Sequence, residues 1–256
     1  MAEETLQIER HGPIMEVRLN RPHAGNAVDL PMMTALESAV QRWDADPGVR
    51  VVIVTGAGGR TFCTGGDLHY FATLKTRDSA LAMSERMTGI LERLGGTRRV
   101  VIGAVNGQAL GGGCEILTAC HMRIAASTAT FRFLHAEKGL IPGWGGGLRL
   151  LRIIGRSRAL RLLLTTETID AHEAHRIGFV DSVVEPEQLI GVAHQLARRI
   201  SEVPQDVVAA HLELLARVDA GDLAGARVHE RESFATLWMG DAFRRSIEAF
   251  VRPKGD

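Results

Sequence analysis

Twice in this chain a short β-branched run leads into a glycine loop, then paired glycines, then an acidic residue. The copies read VVIVTGAGGRTFCTGGDL from Val51 and VVIGAVNGQALGGGCEI from Val100. Such apolar runs suit parallel strands covered on both faces. In each copy the glycines, Gly65-Gly66 or Gly111-Gly112-Gly113, are placed to open a helix. A helix start leaves its first N–H groups unpaired, partly positive and favourable to an anion. Glycine also lets another chain or a ligand approach the backbone closely. Two such starts on neighbouring strands could aim two N–H groups at one oxygen, the arrangement of an oxyanion hole. The plainer reading of the same glycines is turn and packing.

The rest of the chain fits around this repeat. Leu6–Glu9 and Met15–Leu19 read as a hairpin broken by His11-Gly12-Pro13. Met33, Leu36, Val40 and Trp43 recur at helical spacing and predict a helix over 30–43. A second helix is expected over 79–94, with strands over 49–55, 100–105, 122–126 and 130–133. Beyond Gly145 the pattern is helical, apart from a short strand near Val180–Val184. After Pro186, Leu189, Ala193, Leu196, Ala197 and Ile200 share one helical face. The order predicts a mixed α/β core over 1–190 and a helical segment over 191–256.

Composition removes several function classes. A chain of 256 residues can bury a substantial core. Thirty basic residues balance thirty acidic ones without a basic block, and aromatic residues make up only 5%, so no nucleic-acid partner is expected. No apolar run is long enough for a membrane span. The start MAEETLQIERHG lacks the basic-then-apolar order of a signal peptide. Cys63, Cys114 and Cys120 are odd in number and form no C-x-x-C pair, so free thiols in a reducing cytoplasm are expected. Cys63 and Cys114 read as small packing residues. Gly56-Ala57-Gly58-Gly59 is neither a dinucleotide fingerprint nor a P-loop. No metal or redox cofactor is implied.

Five stretches taken together resemble the crotonase superfamily, which holds the enoyl-CoA hydratases and isomerases. They are LNRPHAGNAV at 19–28, FCTGGDL at 62–68, NGQALGGGCEI at 106–116, GLIPGWGGGLRL at 139–150 and AHEAHRIGFVDSVV at 171–184. The resemblance covers nearly the whole chain. It implies an α/β spiral of β-β-α units with a helical C-terminal oligomerisation segment, assembled as a homotrimer or homohexamer. It also implies an acyl-CoA substrate, with coenzyme A entering only as part of that substrate; a carrier-protein thioester would suit the same chemistry. By position, Gly66 and Gly112 resemble the family's two oxyanion donors. His23, Ala24, Asp67 and Leu68 resemble the wall that holds coenzyme A, largely through backbone groups. Glu115 resembles the first catalytic glutamate of the hydratases, although its place in the first turn of a helix would by itself suggest a cap.

At the second glutamate the chain departs from the hydratases. That residue stands eight positions before the glycine matched by Gly143, where this chain has His135. Glu137 follows two residues later. In an extended segment the two would share a face, with Cα atoms roughly 6.5 Å apart. A histidine titrates near neutrality and could divide proton transfer with Glu115. The stretch FRFLHAEKGLIPGWGGGLRLLRIIG also resembles the ethylmalonyl-CoA decarboxylases, which carry a histidine here and a tryptophan before the glycine pair. Trp144 reads equally as a wall of the acyl pocket and as a core residue. On this resemblance, decarboxylation of an alkylmalonyl-CoA ranks first, enoyl-CoA hydration second and double-bond isomerisation third. The rival outside the enzymes is a non-catalytic acyl-CoA-binding scaffold, which would need neither Glu115 nor the two glycine turns.

Overall fold

The computed structural model describes residues 5–251. The chain begins with β1 (Leu6–His11) and β2 (Ile14–Leu19), then α1 (Leu30–Ala45), β3 (Val51–Gly56), β4 (Thr61–Cys63), α2 (Leu68–Phe71) and α3 (Arg77–Gly96). It continues with β5 (Val100–Val105), β6 (Gln108–Leu110), α4 (Gly112–Ala119), β7 (Met122–Ala126), β8 (Thr130–Arg132), α5 (Gly146–Ile154) and α6 (Arg156–Thr165). Next come β9 (Ile169–Asp170), α7 (Ala171–Arg176), β10 (Ser182–Val184) and α8 (Leu189–Ser201). The described N-terminal hairpin pairs antiparallel from Leu6↔Leu19 to His11↔Ile14.

Two sheets result. The larger runs β1-β2-β3-β5-β7-β10, and the smaller runs β4-β6-β8-β9. In the larger sheet all pairings after the hairpin are parallel, with Val51 opposite Val100 and Ile53 opposite Ile102. The sequence repeat is thus a structural one: each long buried strand, β3, β5 or β7, is followed by a short strand in the second sheet. Every residue of β3 and β5 is buried, as their uninterrupted apolar runs require.

Helix α1 starts at Asp29, whose carboxylate accepts the Met32 N–H at 2.9 Å. It buries Met32, Met33, Leu36, Ala39, Val40 and Trp43 along one stripe. Each large apolar side chain so buried contributes about 1.5–3 kcal/mol relative to exposure. The strand expected over 180–184 starts only at Ser182. Phe179 and Val180 are held in a turn, both donating to the Ala174 carbonyl.

The boundary drawn at 190/191 falls inside α8. The compact units divide between Ile200 and Ser201 instead. Leu189, Ala193 and Ala197 of α8 are buried, and His194 bonds Glu16 of β2, which ties this helix to the first unit. The second unit contains α9 (Gln205–Asp219), α10 (Leu223–Trp238) and α11 (Asp241–Val251). Helix α9 packs on α10, with Val208 and Ala226 buried. Trp238 meets Phe234 and Phe243 at ring-centroid distances of 5.4 and 4.3 Å. Phe234, Trp238, Met239 and Phe250 nevertheless remain largely exposed.

Candidate active site

The two glycine turns lie against each other. Gly65 has φ +93°, and a Cβ placed on it would stand 2.8 Å from the Gly112 nitrogen and 3.0 Å from the Leu110 carbonyl oxygen. Glycine is needed there for both the dihedral and the approach. A Cβ on Gly112 would stand 2.2 Å from the Trp144 ring, and one on Gly113 2.1 Å from the Cys63 carbonyl oxygen.

Gly112 opens α4, where an N–H has no partner within the helix. Gly66 differs from its sequence reading. Helix α2 starts only at Leu68, with Asp67 as its cap, so Gly66 precedes the helix and forms a parallel bridge with Val28. That bridge uses the Gly65 carbonyl and the Asp67 N–H. Among the described residues neither the Gly66 nor the Gly112 N–H has an acceptor. Two free donors on adjoining turns can converge on one oxygen.

Glu115 lies one turn into α4 and is 1% exposed. It does not cap its own helix. Oε2 accepts the N–H groups of Trp144 at 2.8 Å and Gly146 at 2.9 Å. Gly146 is the first residue of α5, so the carboxylate sits where that helix favours an anion. A Cβ on Gly146 would lie 2.4 Å from Glu115 Cγ, which keeps this position a glycine. The other oxygen, Oε1, is 3.1 Å from His135 Nε2. A buried carboxylate needs such partners, since an unpaired one would be costly.

His135 is largely buried beside the start of α4; a Cβ on Gly111 would be 3.8 Å from its Nε2. With the carboxylate as acceptor, the ring proton belongs on Nε2. Nδ1 is buried and has no partner among the described residues. Its lone pair is therefore left for a ligand or water. Glu137 does not join this pair. The backbone at His135 is helical (φ −60°, ψ −46°) and leads into a 3-10 turn over Ala136–Lys138, so the extended geometry expected from sequence does not occur. Glu137 is exposed and pairs with Arg132 and Lys138.

Arg149 is the neighbour that sequence reasoning missed. From α5 it donates to the Trp144 carbonyl at 2.7 Å and to Thr118 Oγ1 at 3.1 Å. Thr118 in turn donates to the Glu115 carbonyl at 2.6 Å. Burial lowers the Arg149 pKa, an effect only partly offset by the nearby Glu115 charge. Tertiary packing alone makes this tie between α4 and the Trp144 loop. Trp144 itself is buried, with Nε1 3.4 Å from Met83 Sδ.

The remaining sequence candidates gather at the neighbouring turn. His23 and Ala24 lie in a 3-10 turn over Pro22–Ala24, which rests on the FCTGGDL loop through a 3.0 Å bond from Thr64 N to the Gly25 carbonyl. Asp67 Oδ1 accepts from His69 N at 2.9 Å and Tyr70 N at 3.2 Å, while Oδ2 pairs with Arg21 at 2.9 Å. Burial would raise its pKa, but the Arg21 guanidinium and the two N–H groups outweigh that and hold it below the usual carboxylate value. The Asp67 side chain is thus occupied in shaping the turn. Leu68 is 70% exposed beside it. The three cysteines are buried and free; burial pushes the Cys63 and Cys120 thiols up to about 12 and raises Cys114 also, as packing residues should behave.

A spiral of long strand, short strand and helix, with a buried carboxylate beside two free glycine N–H groups, defines a crotonase-type fold. The sequence profile described as enoyl-CoA hydratase/isomerase matches residues 9–254. A crotonyl-CoA hydratase from Syntrophomonas wolfei is 37% identical over 256 residues, covering 99% of this chain and 97% of the relative. A probable enoyl-CoA hydratase from Mycobacterium leprae is 34% identical over 254 residues, with the same coverage. The crystal structure of an enoyl-CoA hydratase from Mycobacterium smegmatis superposes with a TM-score of 0.92 at 28% identity, covering 97% of this chain and 96% of that one. The chain belongs to the enoyl-CoA hydratase/isomerase family and is an enzyme of the crotonase superfamily. These relatives are hydratases by name, and none of them is named for the decarboxylation that the sequence ranked first. No helix among the described residues is long and apolar enough to cross a membrane.

Proposed function

We propose that this enzyme adds water to the double bond of a 2-enoyl-CoA, with a Glu115–His135 pair in place of two glutamates. One observation carries the reading: Glu115 Oε1 holds His135 Nε2 at 3.1 Å while the buried Nδ1 has no partner among the described residues. That is a base with its tautomer fixed by a carboxylate. Coenzyme A is part of the substrate, and no separate cofactor enters.

The thioester oxygen accepts the Gly66 and Gly112 N–H groups. His135 Nδ1 takes a proton from water as the water oxygen bonds C3 of the substrate. The C2=C3 electron pair moves toward C1, and negative charge gathers on the thioester oxygen. The imidazolium, paired with Glu115, then gives its proton to C2, and the enolate electrons restore the thioester carbonyl. Water is consumed and nothing is oxidised. Each oxyanion donor contributes about 3–4 kcal/mol to such a transition state. The positioned base contributes roughly 10²–10⁴ in rate.

Decarboxylation would bring a substrate carboxylate up to Glu115, whose own carboxylate is fixed by Trp144, Gly146 and His135. Like charges at that range repel. The test is incubation with crotonyl-CoA, ethylmalonyl-CoA and methylmalonyl-CoA, read by product mass. Gain of water by crotonyl-CoA supports the proposal. Carbon dioxide from a malonyl-type thioester, with crotonyl-CoA untouched, would replace it by decarboxylation. We also infer a homotrimer or homohexamer in the cytoplasm; the exposed Phe234, Trp238, Met239 and Phe250 supply an apolar surface for subunit contact.

A further inference from the structure

A separate titratable cluster joins the N-terminal hairpin to α8. His11 ends β1, Glu16 lies in β2 and His194 lies in α8. One ligand atom from each falls within 4.8 Å of the others. Glu16 Oε2 stands 2.8 Å from His194 Nε2, and the His11 and His194 rings meet edge to face with centroids 4.9 Å apart.

Glu16 is 2% exposed, which is unusual for a carboxylate. Alternation along β2 puts it on the face opposite Val17 and Leu19, two residues of the hydrophobic core. Among the described residues its buried Oε1 makes no hydrogen bond, and it is ion-paired with Arg18 Nη2 2.5 Å away. A hydrogen-bonded Glu16–His194 clasp accounts for one oxygen. It leaves the other oxygen to the Arg18 ion pair and does not by itself account for His11 standing edge to face on the His194 ring.

We propose that His11, Glu16 and His194 form a binding site for a divalent cation of the zinc class. Two imidazole nitrogens and one carboxylate oxygen, with water in a fourth position, suit Zn²⁺. Mg²⁺ and Ca²⁺ prefer sets made of oxygen. Metal–ligand bonds of about 2.0–2.2 Å place tetrahedral ligands roughly 3.4 Å apart. The exposed His11 ring can close the present spread by a rotamer change. Glu9 Oε2 lies 3.5 Å from His11 Nε2, where an outer carboxylate can orient a metal-bound imidazole. Arg18 opposes the cation by like charge, but its side chain is one-third exposed and can turn to solvent. A bound ion would fasten β1, the edge strand of the larger sheet, to α8.

Isothermal titration calorimetry of the full chain, first stripped with chelator, tests this with Zn²⁺ itself. One Zn²⁺ should bind per chain. His11→Ala, a surface change, should weaken it at least ~10-fold, the loss expected when a coordination sphere is disturbed. Glu16→Gln should abolish binding. Arg18→Gln should tighten it, because a neighbouring positive charge is removed. Co²⁺ should give the visible absorption of a four-coordinate site in the parent and not in His194→Ala. Thermal melts establish that each variant is folded. Absence of Zn²⁺ binding in the parent would overturn the proposal. So would an affinity unchanged by His11→Ala, which would place the ion on other histidines and leave Glu16–His194 as a clasp.

Discussion

Exchanging Glu115 for glutamine separates the role of this residue in catalysis from its role in folding. The carboxylate accepts two backbone N–H groups on Oε2 and faces His135 Nε2 with Oε1. Glutamine has one acceptor oxygen. The two N–H groups, fixed by the start of α5, claim it, and the amide NH₂ then faces His135. Nε2 must become the acceptor, so the ring proton moves to Nδ1. The nitrogen proposed to take a proton from water now carries one. A tautomer exchange of this kind in a hydrolase triad costs about 10⁴ in rate. Here kcat for crotonyl-CoA hydration should fall roughly 10²–10⁴-fold, about 2.7–5.5 kcal/mol in barrier. KM should change little. Stability should also change little, since both backbone donors keep a partner. Glu115→Ala, by contrast, strands both N–H groups at about 1–3 kcal/mol each and should lower the melting temperature visibly. The assay is loss of enoyl-thioester absorbance beside thermal melts of both variants. A folded Glu115→Gln enzyme with more than about a tenth of parental kcat would refute the reasoning, because even the weakest positioned base contributes more than that.

Other outcomes follow from the same geometry. Gly112→Pro removes one proposed oxyanion N–H and also sets a Cβ 2.2 Å from the Trp144 ring, so kcat should fall by at least about 10²–10³, measured on protein shown by circular dichroism to be folded. Asp67→Ala should lose about 1 kcal/mol or more in urea unfolding at neutral pH, through its cap and its Arg21 pair. Because the folded state holds the Asp67 carboxyl below its ordinary 3.8, that stabilisation is present above 3.8 and fades as pH falls through the folded value. The parent–variant gap should therefore shrink at acid pH. All three thiols should resist a thiol-specific dye in the native protein and react once unfolded, since all three are buried. Light scattering at micromolar concentration should show a trimer or hexamer; a monomer would remove the assembly inference.

The repeat was legible in the chain because a fully buried strand writes its burial on both faces as an unbroken apolar run, as β3 and β5 do. Helix α1 was legible because one buried stripe recurs at helical spacing. Strands β4, β6 and β9 were not, since two or three residues carry no period. The sequence likewise marked Gly66, Gly112, Glu115 and His135 as chemistry-bearing. It could not say what Glu115 touches. Its partners lie 20 to 31 residues away along the chain, on a loop and a helix start brought in by tertiary packing. The same holds for Gly66, read as a helix opening and found in a bridge with Val28, and for Glu137, turned away by one 3-10 turn. Local periodicity determined the elements. Which oxygen faces which nitrogen was decided only when distant glycines allowed those elements to approach within contact distance.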